Sequence, residues 1–193
     1  DAMKISSMPI GLGRFWRVAP GKKTPWIFML VWIAVNFGLP FLAVAEDEMK
    51  FQTDQIEVID GDSFKANGRT YRFAGIEAPE IGQICVHRDR DWNCGRTSAD
   101  ELKKRIELWS RPIRCFHDDP DDLAAGLNCF IGDQEISEIL LRAGSVVARP
   151  GAEHHYVAAE HTARRAKIGL WGSRFVMPWL WRTGTRLSAD GKS

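Results

Sequence analysis

Two short stretches of the sequence place carboxylates and an arginine close together along the chain. The first is Asp60-Gly61-Asp62, and the second runs from Arg72 to Glu80 and includes Glu77. Carboxylate oxygens are ligands that a hard cation such as Ca²⁺ prefers. The planar guanidinium of arginine can hold a phosphate through two hydrogen bonds. A cation, a carboxylate and an arginine around one phosphorus atom would form a site for phosphodiester hydrolysis.

Each of these features also has an ordinary structural explanation. Asp and Gly favour turns, so Asp60-Gly61-Asp62 could be a simple turn between two strands. Glu80 follows Pro79 and is compatible with a solvated loop, and Arg72 is compatible with a surface charge on a strand. Only the combination favours a site, so the elements that carry these residues matter to the interpretation.

The first candidate residues lie in a stretch whose pattern predicts an antiparallel meander. Three short apolar runs cover residues 55–60, 63–67 and 69–76, and Gly61 and Asn67-Gly68 separate them. Asn-Gly between two such runs is a strong hairpin signal. Tight turns between successive strands predict that the three strands pair in sequence order.

The next segments include a loop, a second hairpin and a last short strand. Residues 82–95 are polar and show no apolar period, so we expect a loop that is flexible or held by its cysteines. Residues 113–116 and 127–131 read as two strands on either side of an acidic turn from Asp118 to Asp122. Residues 145–148 form a further brief strand.

Three helices are predicted from apolar periodicity and end signals. Thr97 or Ser98 can cap the first, which Pro112 stops. Glycine at the expected stop position ends the second at Gly144. The third covers residues 156–168 and is closed by Gly169. The apolar faces of the first two helices comprise Ala99, Leu102, Ile106 and Trp109, then Ile136, Ile139, Leu140 and Ala143.

Five short strands with a helix between the third and the fourth describe a particular architecture. We predict an α+β fold, mainly β, built on a five-stranded OB-type barrel with three helices. The predicted domain covers residues 46–186, and residues 187–193 form a disordered tail.

The amino-terminal residues 1–45 have the parts of an export signal. Lys22 and Lys23 precede an apolar run over residues 26–45, which closes on Ala43-Val44-Ala45. The run is also about long enough to span a bilayer, so an uncleaved anchor is the alternative. We expect an exported protein, periplasmic or extracellular, or anchored in the inner membrane through residues 26–45 if the signal is not cleaved.

Charge is unevenly distributed along the chain. Residues 1–45 carry +4 and the whole chain +1, so residues 46–193 carry about −3, from 21 basic against 24 acidic side chains. No strong basic surface is expected on the domain, which argues against tight binding of nucleic acid without a metal. Any chemistry on phosphate must rest on local arginines and a bound cation.

The four cysteines lie in the predicted exported part. They are Cys85, Cys94, Cys115 and Cys129. An even number in an oxidising compartment suggests two disulfides, and the sequence permits three pairings. Cys85 and Cys94 share one polar loop, and the hairpin arrangement would bring Cys115 and Cys129 side by side. Four buried or free thiols are the alternative.

Four segments in order resemble staphylococcal-nuclease-like (thermonuclease) domains over roughly 130 residues. The segments are Val58-Ile59-Asp60-Gly61-Asp62-Ser63, then Arg72-Phe73-Ala74-Gly75-Ile76-Glu77-Ala78-Pro79-Glu80, then Cys94-Gly95 opening a helix, and Ala163-Arg164 through Gly169-Leu170-Trp171 to Pro178-Trp179-Leu180-Trp181-Arg182. The resemblance implies hydrolysis of DNA or RNA with Ca²⁺, by a monomer acting on single-stranded or flexible substrate.

The resemblance also implies roles for individual residues. Asp62 and Glu77 would be the side-chain ligands of Ca²⁺, with the Ala78 carbonyl beside them and Asp60 in support. Glu80 would act on the attacking water as a base or a positioning group. Arg72 would grip the phosphate and offset charge in the transition state. Trp171, Trp179 and Trp181 fit a packing motif of the family, whereas Trp92 is the better candidate for a ligand contact.

The sequence departs from the family pattern at two places. Glu77 stands where the family usually has Asp, and its longer arm is expected to alter or weaken binding of Ca²⁺. The second active-site arginine of the family is absent, because Ala124 or Ala125 occupies its position. Loss of one transition-state donor typically costs about 100- to 1000-fold in rate. The arginines that could reach in from elsewhere are Arg88, Arg90, Arg96 and Arg114.

Two functional hypotheses follow from these residues. The first is an exported, weak, calcium-dependent phosphodiesterase acting on DNA or RNA. The second is a catalytically impaired binding or accessory module of the cell envelope, favoured by the missing arginine and the acidic turn. Some bacterial members of the family are encoded among exopolysaccharide (succinoglycan) biosynthesis genes, which by association links the second hypothesis to that process.

Overall fold

A computed structural model describes residues 48–119, 122 and 125–188 of the chain. The predicted export signal in residues 1–45 lies outside the described residues, as do part of the acidic turn, Ala124 and most of the predicted tail. Within the described part, no helix combines the length and apolar character needed to cross a membrane.

Short strands are the most numerous elements of the described part of the chain. Eleven strands occur there, and each has two to five residues. They are β1 (Met49–Phe51), β2 (Glu57–Val58), β3 (Ser63–Ala66), β4 (Arg69–Arg72), β5 (Ile76–Glu77), β6 (Ile84–His87), β7 (Arg90–Asn93), β8 (Ile113–His117), β9 (Leu127–Ile131), β10 (Gln134–Glu135) and β11 (Val147–Ala148).

Four α-helices and two short 3₁₀ segments accompany the strands in the described residues. The helices are α1 (Cys94–Leu108), α2 (Ile136–Ala143), α3 (His154–Ala166) and α4 (Pro178–Arg182). The 3₁₀ segments are Thr53–Gln55 and Gly169–Gly172. The predicted α+β class, mainly sheet with a few helices, is therefore confirmed.

Most strand pairs join neighbours in sequence, and the exceptions are β1-β8 and β5-β11. The order β2-β3-β4 forms the predicted antiparallel meander, with Asn67 and Gly68 both at positive φ in the turn between β3 and β4. A second sheet has the order β1-β8-β9-β10, and β5-β11 and β6-β7 form two-stranded pairs. A parallel bridge between Phe73 and Leu127 connects the end of β4 to β9. The regular pairing thus divides the strands among four sheets, and closure into the predicted five-stranded barrel stays a prediction.

The core lies between these sheets and the inner faces of the helices. The rings of Phe51, Phe64, Tyr71 and Phe73 are in contact, with centroid separations between 5.0 and 5.5 Å. Leu102 of α1 and Leu140 of α2 are fully buried in the same cluster, as their periodic spacing predicted. Full burial of each such side chain contributes about 1.5–3 kcal/mol.

The predicted loop over residues 82–95 is wrong in part, because β6 and β7 form a hairpin there. Arg88 and Asp89 make its two-residue turn, and both have positive φ (49° and 61°). Gly or Asn usually occupies such positions, so the turn has no strong signal in the sequence.

The helix boundaries also differ from the predictions based on periodicity. Helix α1 begins at Cys94, not at Thr97 or Ser98, because the Asn93 side chain accepts a hydrogen bond from the Arg96 N–H. Helix α3 ends at Ala166, with Lys167 in the left-handed conformation that was expected of Gly169. Helix α4 was not predicted, so three predicted helices become four. The predicted end of α2 at Gly144 is confirmed.

All four cysteines form disulfides. Cys85 pairs with Cys94, and Cys115 pairs with Cys129. Cys115 and Cys129 face each other directly in the register of β8 and β9. The first disulfide ties the β6-β7 hairpin to the start of α1. Two disulfides fit a protein of an oxidising compartment.

Candidate functional site

The candidate residues from the two motifs come together in one cleft of about 370 Å³. Its lining consists of Asp60, Asp62, Arg72, Glu77, Ala78, Pro79, Glu80 and Arg182. The turn after β2, the end of β4, and β5 with the segment after it supply all but one of these residues. The remaining residue, Arg182, ends helix α4.

The turn between β2 and β3 is held by its own side chains. Asp60 Oδ1 accepts hydrogen bonds from the Asp62 N–H at 3.0 Å and from the Ser63 hydroxyl at 2.7 Å. Gly61 lies so close to helix α1 that a Cβ on it would stand 1.9 Å from Ser98 Oγ. The turn interpretation of Asp60-Gly61-Asp62 is therefore correct, and the turn also points Asp62 into the cleft.

Asp62 is almost fully buried, and its carboxylate is surrounded by donors. Arg72 Nη2 lies 2.8 Å from Oδ1 and 2.9 Å from Oδ2, and the Ala78 N–H donates to Oδ2 at 2.7 Å. Burial, and then the charge of Asp60, raise the pKa of Asp62 to about 7. The contacts with Arg72 and Ala78 oppose this rise without cancelling it. Burial and the charge of Asp60 therefore disfavour the charged form of Asp62 more strongly than Arg72 and Ala78 favour it.

Glu77 is the second buried carboxylate of the cleft. It lies on β5, where it pairs with Val147 of β11. Its Oε2 accepts from Arg182 Nη2 at 2.6 Å, and its Oε1 lies 3.5 Å from Arg149 Nε. Two arginines thus neutralise Glu77, and both come from the carboxyl-terminal half of the chain.

Glu80 is fixed mainly through its backbone, while its side chain is 38% exposed. The buried Gln83 side chain accepts from the Glu80 N–H at 3.2 Å, and the Gln83 N–H donates to the Glu80 carbonyl at 2.7 Å. Gly95 of α1 lies against the same carbonyl, since a Cβ there would stand 1.6 Å from the oxygen. A rigid backbone therefore carries a carboxylate that reaches into the cleft.

Arg182 is the site residue that the sequence analysis missed. Its Nη1 donates to Glu80 Oε1 at 2.9 Å, and its Nη2 donates to Glu77 Oε2 at 2.6 Å. The hydrogen bond to Glu80 is the main cause that raises the pKa of Arg182, and Glu77 adds to it. Arg182 ends the segment Pro178 to Arg182, whose resemblance to the family was noted from the sequence. That segment was interpreted only as a packing motif, so Arg182 was given no role in the site.

Other residues considered in the sequence lie away from the cleft. The four arginines Arg88, Arg90, Arg96 and Arg114 do not line it. Trp92 packs against the Cys85–Cys94 cluster and donates to Ser173 Oγ at 3.2 Å. The predicted packing role of Trp171 and Trp179 is confirmed, because both contact that same cluster. Ala125 sits in a turn, with its N–H donating to the Asp122 carbonyl.

The cleft is negatively charged overall. Its four carboxylates exceed its two guanidinium groups, which leaves a formal charge of −2. Within the described residues, no three His, Cys, Asp or Glu side chains are grouped closely enough to hold a metal ion. Arg72 contacts Asp62, and Arg182 contacts Glu77 and Glu80. The donor chemistry, however, fits a hard divalent cation, because the available ligands are carboxylate and carbonyl oxygens.

The chain is 31% identical over 121 residues to the succinoglycan biosynthesis protein ExoI of Rhizobium meliloti (strain 1021). The match covers 61% of this chain and 63% of the relative, so the chain spans less than two thirds of the relative's length. No family model matches the chain.

Proposed function

We propose that this protein is an exported, thermonuclease-like phosphodiesterase that hydrolyses DNA or RNA with the help of Ca²⁺. The observation that supports the proposal is the convergence of Asp60, Asp62, Arg72, Glu77, Ala78 and Glu80 on one cleft. These residues come from separate strands and turns, yet they meet in the combination of carboxylates and guanidinium that phosphodiester hydrolysis needs.

The residues that would hold Ca²⁺ are Asp62 and Glu77 through their carboxylates and Ala78 through its carbonyl, with Asp60 adding negative charge. The formal charge of −2 in the cleft favours binding of a cation there. A bound Ca²⁺ would supply charge neutralisation at the phosphate.

Glu80 would transfer the proton, and Arg72 would contact the phosphate. Glu80 takes a proton from a water whose oxygen bonds to phosphorus. The bond from phosphorus to the leaving oxygen breaks, and that oxygen takes up a proton from solvent water. Arg72 offsets the charge that develops on the phosphate oxygens. Its side chain lines the cleft and is 44% exposed although it forms an ion pair with Asp62, so it remains accessible to a ligand.

The proposed substrate is a single-stranded or flexible nucleic acid, bound by a monomer. The net charge of about −3 over residues 46–193 argues against holding duplex by a broad basic surface. The two disulfides support export, because they persist in oxidising compartments. Residues 26–45 would serve as the signal or as a membrane anchor.

A cleavage assay with a matched variant tests the proposed activity. The purified chain is incubated with single-stranded DNA and Ca²⁺, and product is followed on a gel at high enzyme loading. Chelation should abolish cleavage, and Glu80→Gln should lower it by about 100-fold or more, since removal of a general base typically costs 10²–10⁴. Glu107→Gln, at an exposed position of α1, is the control and should cleave normally. Absence of any cleavage by the unmodified chain would sink the proposal.

A second candidate function is a non-catalytic role in building an envelope polysaccharide. The match to a succinoglycan biosynthesis protein favours it, together with alanine at positions 124 and 125. Polysaccharide output of a deletion strain complemented with Glu80→Gln separates the two candidates. Full restoration by this variant would favour the accessory role, and failure to restore would favour hydrolysis.

A large gain of cleavage in Ala125→Arg would indicate a working site that had merely been weakened.

A further inference from the structure

We infer that Arg182 is the second phosphate-contacting arginine of the cleft, in place of the arginine that is missing near residues 124 and 125. The inference rests on the proposed function and assigns to it a residue from the carboxyl-terminal helix. Three observations carry it: how the guanidinium is held, how much of it stays exposed, and how helix α4 is attached to Glu80.

The guanidinium of Arg182 is oriented by two carboxylates that leave most of its donors unused. Its two terminal nitrogens each donate one hydrogen bond, to Glu80 and to Glu77. A guanidinium carries five N–H donors, so two bonds leave three for a ligand. A planar fork fixed at both ends loses little further freedom when a phosphate binds.

Exposure separates Arg182 from an arginine that serves only to neutralise Glu77. Its side chain is 42% exposed, close to the 44% of Arg72, and both residues line the cleft. Arg149, which also contacts Glu77, is not among the lining residues. Glu77 therefore has a neutralising partner besides Arg182. Arg182 lines the same cleft as Arg72, so its remaining N–H donors are available to a ligand bound there.

Helix α4 is attached to the Glu80 segment by one buried side chain. Gln83 is fully buried, and its Nε2 donates to the Val176 carbonyl at 2.6 Å, just before the helix. Its Oε1 accepts from the Glu80 N–H. The same amide group therefore fixes both Glu80 and the approach to α4, which sets the place of Arg182 relative to the carboxylate that it contacts.

The test compares Arg182→Ala with Arg186→Ala, which removes the same charge four residues away. Arg186 stacks on Trp181 at 3.7 Å and lines a different cavity, so it is a matched control. With single-stranded DNA and Ca²⁺, kcat of Arg182→Ala should fall about 100- to 1000-fold, and that of Arg186→Ala should change less than about twofold. Arg182→Lys keeps the charge and loses the fork, so its rate should lie between those of Arg182→Ala and the unmodified chain.

Chemical rescue distinguishes phosphate contact from a structural role. Free guanidinium ion at millimolar concentration should restore part of the cleavage by Arg182→Ala and should not affect Glu80→Gln. Thermal melting of each variant shows whether it folds, and Arg182→Lys serves if Arg182→Ala does not. Cleavage by folded Arg182→Ala within about threefold of the unmodified chain would overturn the inference and leave the proposed function intact.

A binding measurement keeps the inference testable if the unmodified chain does not cleave. Fluorescence anisotropy with a short single-stranded oligonucleotide and Ca²⁺ gives the Kd of each variant. A loss of about tenfold or more in Arg182→Ala and not in Arg186→Ala would support the phosphate contact although hydrolysis had failed. Equal affinities, or no binding by the unmodified chain, would overturn the contact.

Discussion

Asp62 illustrates how one buried carboxylate can serve a site at a cost to the fold. Its burial beside Asp60 disfavours the charged form, and a single arginine and a backbone N–H offset only part of that penalty. This arrangement lowers the stability of the fold, because a neutral side chain of the same shape would not carry the desolvation penalty. Asp62 lines the cleft, and the proposed function of that cleft explains why a destabilising carboxylate is placed there.

The raised pKa of Asp62 predicts a specific dependence of stability on pH. The pKa is 3.8 ordinarily and about 7 in the fold, so folding takes up a proton between these values. Its contribution to stability is therefore largest below pH 3.8 and is lost as pH rises towards 7. Without calcium, the free energy of unfolding should fall by about 1–2 kcal/mol from pH 5 to pH 7 relative to Asp62→Asn.

Urea unfolding of both proteins at several pH values measures this difference. Asp54→Asn, at an exposed position, is the control and should keep the pH dependence of the unmodified chain. Parallel stability curves for the unmodified chain and Asp62→Asn would contradict the assigned pKa.

Helix α1 supplies no lining residue of the cleft, but it packs directly against the two segments that do. Its first turn lies against the backbone of Glu80, and its Ser98 lies against the turn that carries Asp62. Two glycines make these approaches feasible, because no side chain could occupy the space. The helix therefore packs against both motifs and sets the distance between them.

Substitution of Gly95 tests this packing directly. A Cβ at position 95 would stand 1.6 Å from the Glu80 carbonyl oxygen, so backbone must move. Gly95→Ala should lower stability by about 1–3 kcal/mol, a usual cost of overpacking, and should reduce cleavage by displacing Glu80. Gly82→Ala is the control, since nothing lies within 4 Å of the Cβ it would add. Thermal melting and the cleavage assay measure both effects, and equal behaviour of the two variants would refute the proposed role of α1.

At the scale of the whole molecule, the site joins parts of the chain that are far apart in sequence. Arg182 and Glu80 are 102 residues apart, and Gln83 and Val176 are 93 apart. The Cys85–Cys94 disulfide lies in the cluster against which Trp171 and Trp179 pack. The carboxyl-terminal segment is thus fastened to the region that carries Glu80.

Binding of Ca²⁺ should stabilise the whole domain, since a ligand that binds only the folded state raises its stability. At a free concentration about 100 times Kd, the gain is about 2.7 kcal/mol, which corresponds to a rise in Tm of roughly 5–10 °C for a domain of this size. Melting curves with Ca²⁺ and with chelator measure it. Glu77→Gln should lose most of the shift, whereas Glu107→Gln on the exposed side of α1 should retain it. Identical shifts in the two variants would point to non-specific binding.

Much of the fold was predictable because it depends on local signals. Asn67-Gly68 determined the first hairpin, Gly144 ended α2, and apolar periodicity placed Leu102 and Leu140 in the core. The β6-β7 hairpin was missed because Arg88 and Asp89 adopt positive φ without the residues that usually do so. Helix α4 has only five residues and too little periodicity to be recognised.

The sequence by itself indicated the carboxylates and the first arginine of the candidate cleft, because Asp60, Asp62, Arg72, Glu77 and Glu80 lie within two short motifs. Only the tertiary structure decided which arginine joins them. Arg88, Arg90, Arg96 and Arg114 were reasonable candidates by charge, and Arg182 reaches the cleft instead. Pairing over such distances depends on how the whole chain packs, and neither the spacing nor the type of a single residue contains that information.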